Sequence, residues 1–245
     1  MDSGYYAAMA GLVARSEALD TAAANLANAQ TPGYRAEREY FRSVLLGPDA
    51  GDSQLGQAAN RYGVLGGDQL SMAQGPMQET GNPLDLAILG NGFFGVLTAE
   101  GVRYTRDGSF HRSQQGQLVT EKNEPVLSTK KQPIAIPPGA VSVGADGVVS
   151  VDGGAVDTVG AFRFSATAEL VAEGANRYRA PENAASTVGG DAVIREGALE
   201  GANQDVVEGT LDLMTMQRQA EMMQKALTVF HTDFNKFATE DLPKV

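Results

Sequence analysis

The chain has 245 residues, a net charge of −11 and no cysteine. The missing cysteines exclude disulfides and thiolate catalysis, and an acidic chain without a basic stripe is not expected to bind nucleic acid. No stretch reaches the roughly 18 apolar residues of a membrane-spanning helix, so no membrane insertion is expected. The 29 glycines concentrate between residues 47 and 209 and predict a middle region rich in turns.

The first predicted element is an amphipathic helix over residues 3–28, with Asp2 or Ser3 as its cap. Its apolar positions are spaced mainly by four and three residues, which is the pattern of a coiled-coil seam. They are Tyr5, Met9, Leu12, Leu19, Ala23 and Leu26. We therefore expect this stripe to pack against another helix.

The stretch ANLANAQTPGYR (24–35) ends this helix abruptly. We expect Asn28 to end the helix in the left-handed conformation, and Pro32-Gly33 suits a type II turn. A plain helix end does not explain Asn25, which lies one turn earlier. Its amide can fix the register of a packed helix seam.

The middle of the chain predicts an antiparallel β domain over residues 76–185, because short runs alternate apolar and polar residues between turn signals. The turn signals are Asp107-Gly108, Gln115-Gly116, Asp146-Gly147 and Gly153-Gly154. Residues 47–75, rich in Gly, Gln and Asp, predict an extended linker, and residues 186–204 a return linker.

The C-terminal segment, residues 205–245, predicts a second helix with Asp205 and Glu208 as a capping box. Leu242-Pro243 is expected to close it. Two rows of apolar residues recur every seven positions and predict a seam. They are Val206, Leu213, Ala220, Leu227 and Phe234 in one row and Met216, Met223, Phe230 and Phe237 in the other.

These elements predict an α+β fold, in which the terminal helices pair as a coiled coil around an inserted all-β domain. Residues 1–46 would hold the first helix and its exit turn. A two-stranded seam would leave Tyr5 and three phenylalanines of the second helix only half covered. We therefore expect assembly with other chains.

The stretch LAILGNGFFG contains Gly90, Gly92 and Gly95 in the spacing of the dinucleotide-binding fingerprint. That fingerprint requires a helix to begin at the glycines, whereas the following residues predict a strand. A tight turn between strands is the favoured interpretation, and a nucleotide-binding enzyme is the alternative. His111 and His231 lack the neighbours of a metal site, so neither a metal nor a cofactor is expected.

Three stretches in order resemble the bacterial flagellar rod and hook proteins. The first is ANLANAQTPGYR. The second is QGPMQETGNPLDLAILGNGFFGV (74–96), which continues into RYTRDGSFHRSQQGQLVT. The third is LEGANQDVVEGTLDLMTMQRQAEMMQKAL (199–227).

The resemblance implies a non-enzymatic subunit of the basal-body rod, assembling helically with itself and other rod subunits through its terminal helices to transmit motor torque. It also implies export by the flagellar apparatus without a cleaved signal peptide. Chain length and the Met1-Asp2 start favour the proximal-rod branch; distal-rod or hook-type paralogues are the alternative. The expected interface residues are Tyr5, Leu12, Leu19, Asn25, Leu26, Asn28, Leu213, Met216, Met223, Leu227, Phe230 and Phe234.

Overall fold

In a computed structural model of the chain, the described residues are 2–42, 64–164, 170–181, 187–188 and 192–240. They divide into two compact units. The helical unit takes the chain up to Ala27, residues 37–69 and the chain from Asp205 onward. The β unit takes residues 28–36 and 70–204.

The helical unit contains two helices that contact each other, α1 (Asp2–Ala27) and α2 (Val206–Glu240). A two-stranded sheet of β1 (Glu37–Arg42) and β2 (Val64–Leu70) completes its described part. Asp205 caps α2, because its carboxylate accepts the Val207 and Glu208 N–H groups at 2.8 and 3.1 Å. Among the described residues, no helix is both long and apolar enough to cross a membrane.

The covered face of α1 differs from the predicted seam. Among residues 9–27, whose burial is described, the buried ones are small or polar, namely Gly11, Ala14, Ala18 and Asn25. The predicted Leu12, Leu19 and Leu26 are only half-buried, and Met9 and Ala23 are exposed. The apolar pattern missed this face because small side chains carry little hydrophobic signal, yet they let two helix backbones approach closely.

The covered face of α2 follows the predicted heptad rows. Gly209, Ala220 and Leu227 are buried, and Leu213, Met216 and Met223 between them are half-buried. Val206, predicted to start the seam, is instead exposed, because it lies in the first turn of the helix. Leu242-Pro243 falls outside the described residues.

The β unit is antiparallel throughout its described pairings. Its strands are β3 (Met77–Glu79), β4 (Leu86–Leu89), β5 (Phe93–Thr98), β6 (Gly101–Thr105), β7 (Phe110–Arg112), β8 (Leu118–Thr120), β9 (Val141–Val143), β10 (Val148–Val151), β11 (Gly154–Thr158), β12 (Ala161–Arg163), β13 (Val171–Ala172), β14 (Tyr178–Arg179), β15 (Thr187–Val188), β16 (Val193–Glu196) and β17 (Ala198–Glu200). A six-stranded sheet has the order β13-β14-β6-β5-β12-β15, a three-stranded sheet the order β11-β10-β9, and β16-β4, β17-β3 and β7-β8 form pairs.

Two apolar cores lie on opposite faces of β5. Phe94 packs in the larger core, where its ring meets that of Phe110 edge-on at 5.1 Å. Phe93 packs in the smaller core, against Tyr178 at 5.7 Å. Because β5 is buried on both faces, its sequence reads as an apolar run and not as an alternation.

Two of the predicted turn signals are confirmed as hairpins, Gln115-Gly116 between β7 and β8 and Asp146-Gly147 between β9 and β10. The third hairpin turn lies one residue earlier than predicted, at Asp152-Gly153, where both residues have positive φ (51° and 82°). Asp107-Gly108 does not form a hairpin, since β6 pairs with β5 and β14 while β7 pairs with β8.

The predicted boundaries of the β domain also differ from the structure. The return linker predicted over residues 186–204 contains β15, β16 and β17. Ile194 of β16 is buried in the larger core, because β16 pairs with β4 along its whole length. Residues 28–36, predicted to belong with the first helix, are part of the β unit. Of the linker predicted over 47–75, residues 47–63 lie outside the described residues, and β2 occupies 64–70.

Candidate functional site: the neck and the outer helix faces

The chain turns sharply after α1. The Tyr34 N–H donates to the Thr31 carbonyl at 3.3 Å, which closes a turn around Pro32 and Gly33. Gly33 has a φ of 68°, as the third position of a type II turn requires, so the predicted turn is confirmed. The prediction for Asn28 is wrong, because its φ is not positive; its carbonyl instead accepts the Thr31 N–H at 3.0 Å.

Residues 32–36, which we call the neck, lie against the rest of the β unit with no space for a side chain at Gly33. A Cβ there would come within 2.2 Å of the Asp107 nitrogen and 2.3 Å of the Arg106 carbonyl carbon. The Gly33 N–H donates to the Glu200 carbonyl at 2.7 Å. Glycine is therefore required both for the conformation and for the close approach of two backbones.

The β13–β14 hairpin holds the neck from another side. The Asn176 side-chain amide donates to the Pro32 carbonyl at 2.8 Å, and the Arg35 N–H donates to the Tyr178 hydroxyl oxygen at 3.2 Å. Tyr178 is itself buried in the smaller core. The position of the neck is thereby tied to the packing of that core.

Asn203 joins three chain segments of the β unit. Its side-chain oxygen accepts the Ala36 N–H at 2.7 Å, and its amide donates to the Ser71 and Ala73 carbonyls at 2.9 Å each. Its own N–H donates to the Tyr34 carbonyl at 3.2 Å, and the Ser71 N–H donates to the Ala36 carbonyl at 2.8 Å. One side chain thus holds the neck beside the segments before β3 and after β17.

A buried carboxylate lies at the centre of these contacts. The two oxygens of Glu200 pair with the guanidinium groups of Arg35 and Arg106 at 2.8 and 2.9 Å, and the exposures of the three side chains are 1–3%. One oxygen also accepts the Gly75 N–H at 3.0 Å. Removing one partner of such a buried pair typically costs about 3–5 kcal/mol, since the other charge stays buried and uncompensated.

The cluster carries two positive charges and one negative. Burial lowers the pKa of Arg35, and it lowers the pKa of Arg106 to about 10, so both remain charged at neutral pH. Arg106 donates to the Ile88 carbonyl at 2.8 Å and to the Gly90 carbonyl, and its guanidinium lies 5.5 Å from the Phe93 ring centre. These dipoles and the ring offset the excess positive charge.

This cluster was not predicted, although the sequence holds a signal for it. Ala198 and Glu200 share one face of β17, because side chains of a strand alternate with period two. Both are buried, at 0% and 1% exposure. A glutamate on the apolar face of a short strand indicates a buried partner cation, and Arg35 beside the neck glycine is such a cation.

Asn25 has a role inside the chain. Its side-chain amide donates to the Glu37 carbonyl at 2.8 Å, and its side-chain oxygen accepts the Glu37 N–H at 3.0 Å. Asn25 is 8% exposed. The amide thus pairs with the first residue of β1 as a neighbouring strand would, and it fixes where the chain re-enters the helical unit.

Replacing Asn25 by alanine is expected to destabilise the helical unit by about 1–3 kcal/mol, because the Glu37 N–H and C=O lose their partner. The better helix propensity of alanine offsets only about 0.7 kcal/mol of this. The measurement is a thermal melt of the helical circular dichroism signal. Asn28→Ala, a change of the same kind at a half-exposed position, is the control, and an equal shift in both variants would refute this role.

The outer face of α2 carries large apolar side chains in contact with water. We call this face the outer stripe, and its apolar members recur at intervals of three, four, seven or eight residues along the side opposite the covered one. They are Val207, Leu211, Met214, Met222 and Val229, with exposures of 52–70%. Arg218 and Lys225 occupy the remaining positions of the stripe.

The predicted interface residues are distributed over different surfaces. Leu213, Met216, Met223 and Leu227 lie on the covered face of α2, whereas Leu12, Leu19 and Leu26 are half-buried on α1. The side chains of Tyr5, Phe230, Phe234 and Phe237 lie outside the described residues. The outer stripe was not among the predictions, because the covered heptad rows carried the stronger periodic signal.

The glycine motif of the sequence forms a turn between β4 and β5. Gly90 and Gly92 lie in the turn with φ of 89° and 150°, and Gly95 lies within β5, where a Cβ would be 2.6 Å from the Phe162 ring. A strand follows the glycines where a dinucleotide site requires a helix N-terminus. Gly90 and Gly92 therefore allow the backbone conformation of the turn, and Gly95 leaves room for the Phe162 ring.

His111 is exposed on β7, and the side chain of His231 lies outside the described residues. Within the described ranges, no group of three or more His, Asp or Glu side chains is arranged to hold a metal ion.

Two family models match the chain. Residues 6–35 match the flagella basal body rod protein model, and residues 87–151 match the D1 domain model of the flagellar hook proteins FlgE/F/G. The first match covers most of α1 and ends within the neck, and the second covers β5 to β10.

Similar proteins match over nearly the whole chain. A flagellar basal-body rod protein FlgF of Caulobacter vibrioides is 35% identical over 100% of both chains. The FlgF of Escherichia coli is 33% identical over 93% of this chain and 94% of its own. A flagellar basal-body rod protein FlgG of Bacillus subtilis is 29% identical over 91% and 93% of the two chains.

Proposed function

Because the chain belongs to the family of flagellar basal-body rod proteins, we propose that it assembles helically with other rod subunits and with copies of itself through its terminal helices. The assembled helices would transmit motor torque, and no catalytic step would be involved. The observation that carries this proposal is the outer stripe of α2.

The outer stripe supports assembly on energetic grounds. Five large apolar side chains are more than half exposed, and burying such a side chain fully contributes about 1.5–3 kcal/mol. The gain from one stripe is therefore of the order of several kcal/mol, which is comparable with the lower range of association costs. A subunit in a helical array has several neighbours, so such contacts add up.

We propose that α1 and α2 pair as a two-stranded coiled coil inside each subunit. The heptad spacing of the covered residues of α2 and the small residues on the covered face of α1 support this pairing. Pairing would leave the outer stripe for contacts between subunits. The predicted residues Leu213, Met216, Met223 and Leu227 would then hold the pair together within one chain.

We assign the chain to the proximal-rod branch of the family. The support is the 35% identity to the Caulobacter FlgF over the full length of both chains, against 29% to the Bacillus FlgG. We further propose export by the flagellar apparatus without a cleaved signal peptide. Mass spectrometry of the chain recovered from basal bodies tests this, and a shortened N-terminus would contradict it.

The assembly proposal is tested by labelling a cysteine introduced into the outer stripe. The chain has no cysteine of its own, so Met214→Cys gives a single reactive site. We expect a maleimide to label the purified monomer, in which residue 214 is exposed, and to leave the chain in isolated basal bodies unlabelled. Equal labelling of both would show that this face is not buried in the rod.

A further inference from the structure

We infer that the neck is already folded as part of the β unit in the free subunit, held by a clasp of Arg106, Asn176, Tyr178, Glu200 and Asn203. The neck then needs no neighbouring subunit in order to fold. This rests on the proposed function, because only a subunit that assembles has a state before assembly.

Four N–H groups and three carbonyls of the neck backbone form hydrogen bonds. Gly33, Arg35 and Ala36 donate their N–H groups to Glu200, Tyr178 and Asn203, and the Tyr34 N–H closes the turn. The carbonyls of Pro32, Tyr34 and Ala36 accept hydrogen bonds from the β unit. A flexible linker would leave these groups to water, whereas here the β unit binds them.

The ionic part of the clasp connects the neck to the interior. Arg35 reaches from the neck to Glu200, and Glu200 reaches Arg106, whose other hydrogen bonds go to carbonyls at the end of β4 and in the following turn. Because all three side chains are almost fully buried, the neck cannot leave without exposing or stranding a charge. Glu200 is therefore the residue on which the clasp depends.

The hairpin that touches Pro32 has an unfavourable conformation. Gly174, Ala175 and Asn176 all have positive φ, of 82°, 52° and 54°. Non-glycine residues rarely adopt this conformation, and such sites persist where the surrounding contacts require them. Here the conformation aims the Asn176 amide at the Pro32 carbonyl, 2.8 Å away.

The test is hydrogen exchange of the full-length monomer, read by mass spectrometry for the amides of residues 33–36. We expect protection comparable with that of β4 in the wild type. Glu200→Gln should speed exchange of these amides on the order of tenfold or more, because the arginines lose a charged acceptor, while β4 stays protected. The control is Glu79→Gln, which removes the same charge from an exposed ion pair on the adjacent strand.

A second, milder variant keeps the test decisive if Glu200→Gln fails to fold. Asn176→Gly keeps the positive φ but removes the bond to Pro32, and it should speed exchange in the neck alone. Unprotected neck amides in the wild type, or equal exchange in the Glu79→Gln and clasp variants, would overturn the clasp.

The proposed function is tested separately. If the wild-type chain is absent from purified rods, the proposed function fails, and the exchange data on the monomer still decide the clasp.

Discussion

Gly33→Ala is expected to release the neck from the β unit and to make the peptide bond after Arg35 sensitive to trypsin. Alanine in the left-handed conformation costs about 1–2 kcal/mol. Its Cβ would also lie 2.2 Å from the Asp107 nitrogen, and relieving such overpacking costs about another 1–3 kcal/mol. Arg35 is 2% exposed in the native chain, so cleavage there reports opening of the neck directly.

Gly81→Ala separates the two contributions. Gly81 has a φ of 74°, close to that of Gly33, but a Cβ there would have no atom within 4 Å. We expect Gly81→Ala to destabilise the protein only by the conformational contribution, and to leave the peptide bond after Arg35 resistant to trypsin. If Gly33→Ala and Gly81→Ala are cleaved after Arg35 at the same rate, the close approach of the two backbones does not hold the neck in place.

The sequence predicted the elements better than the contacts between them. Heptad spacing identified most of the covered face of α2, since apolar residues recur there every seven positions. On α1 the same reasoning chose the large residues, although Ala14 and Ala18 are the buried ones. A close helix contact depends on the absence of side-chain volume, which hydrophobic periodicity does not register.

The contacts of the neck could not be predicted, for a different reason. Its turn could be predicted, because Pro32-Gly33 acts through local backbone preference. Its partners, in contrast, lie far away along the chain: Glu200 is 165 residues after Arg35. The sequence alone indicates that a carboxylate lies on the apolar face of β17. Only the fold shows which cation pairs with it.

Asn25 combines both difficulties. Its position in the helix was recognised as unusual, and its amide was expected to act at a helix seam. The structure uses the amide to bind the backbone of Glu37, twelve residues later. Nothing local distinguishes these two uses, because an asparagine at a buried helix position needs a partner in either case.

The outer stripe leads to the largest expected effect on assembly. Leu211→Asp should abolish incorporation into the rod while the monomer stays folded. Leu211 is 60% exposed, so the carboxylate remains hydrated in the monomer. In a subunit contact the same charge would be buried without a partner, at a cost of several kcal/mol, which is as large as the expected gain from the whole stripe.

Leu227→Asp should behave differently, although it is the more obvious choice from the sequence. Leu227 is 8% exposed on the covered face of α2, so a charge there destabilises the helical unit of the monomer itself. A loss of rods would then report misfolding. Comparing the two variants by the helical circular dichroism of the purified monomer distinguishes a covered face from a binding face.

The matched control is Gln224→Asp, which places the same side chain on α2 at an exposed position about a quarter to a third of a turn from the outer stripe. Rod recovery and swimming are compared in strains that export each variant at equal levels, because a variant retained in the cell tests export alone. We expect normal rods with Gln224→Asp and none with Leu211→Asp. Normal rods with Leu211→Asp would mean that the outer stripe stays in water, and the subunit contacts would then have to involve other surfaces, such as the half-buried leucines of α1.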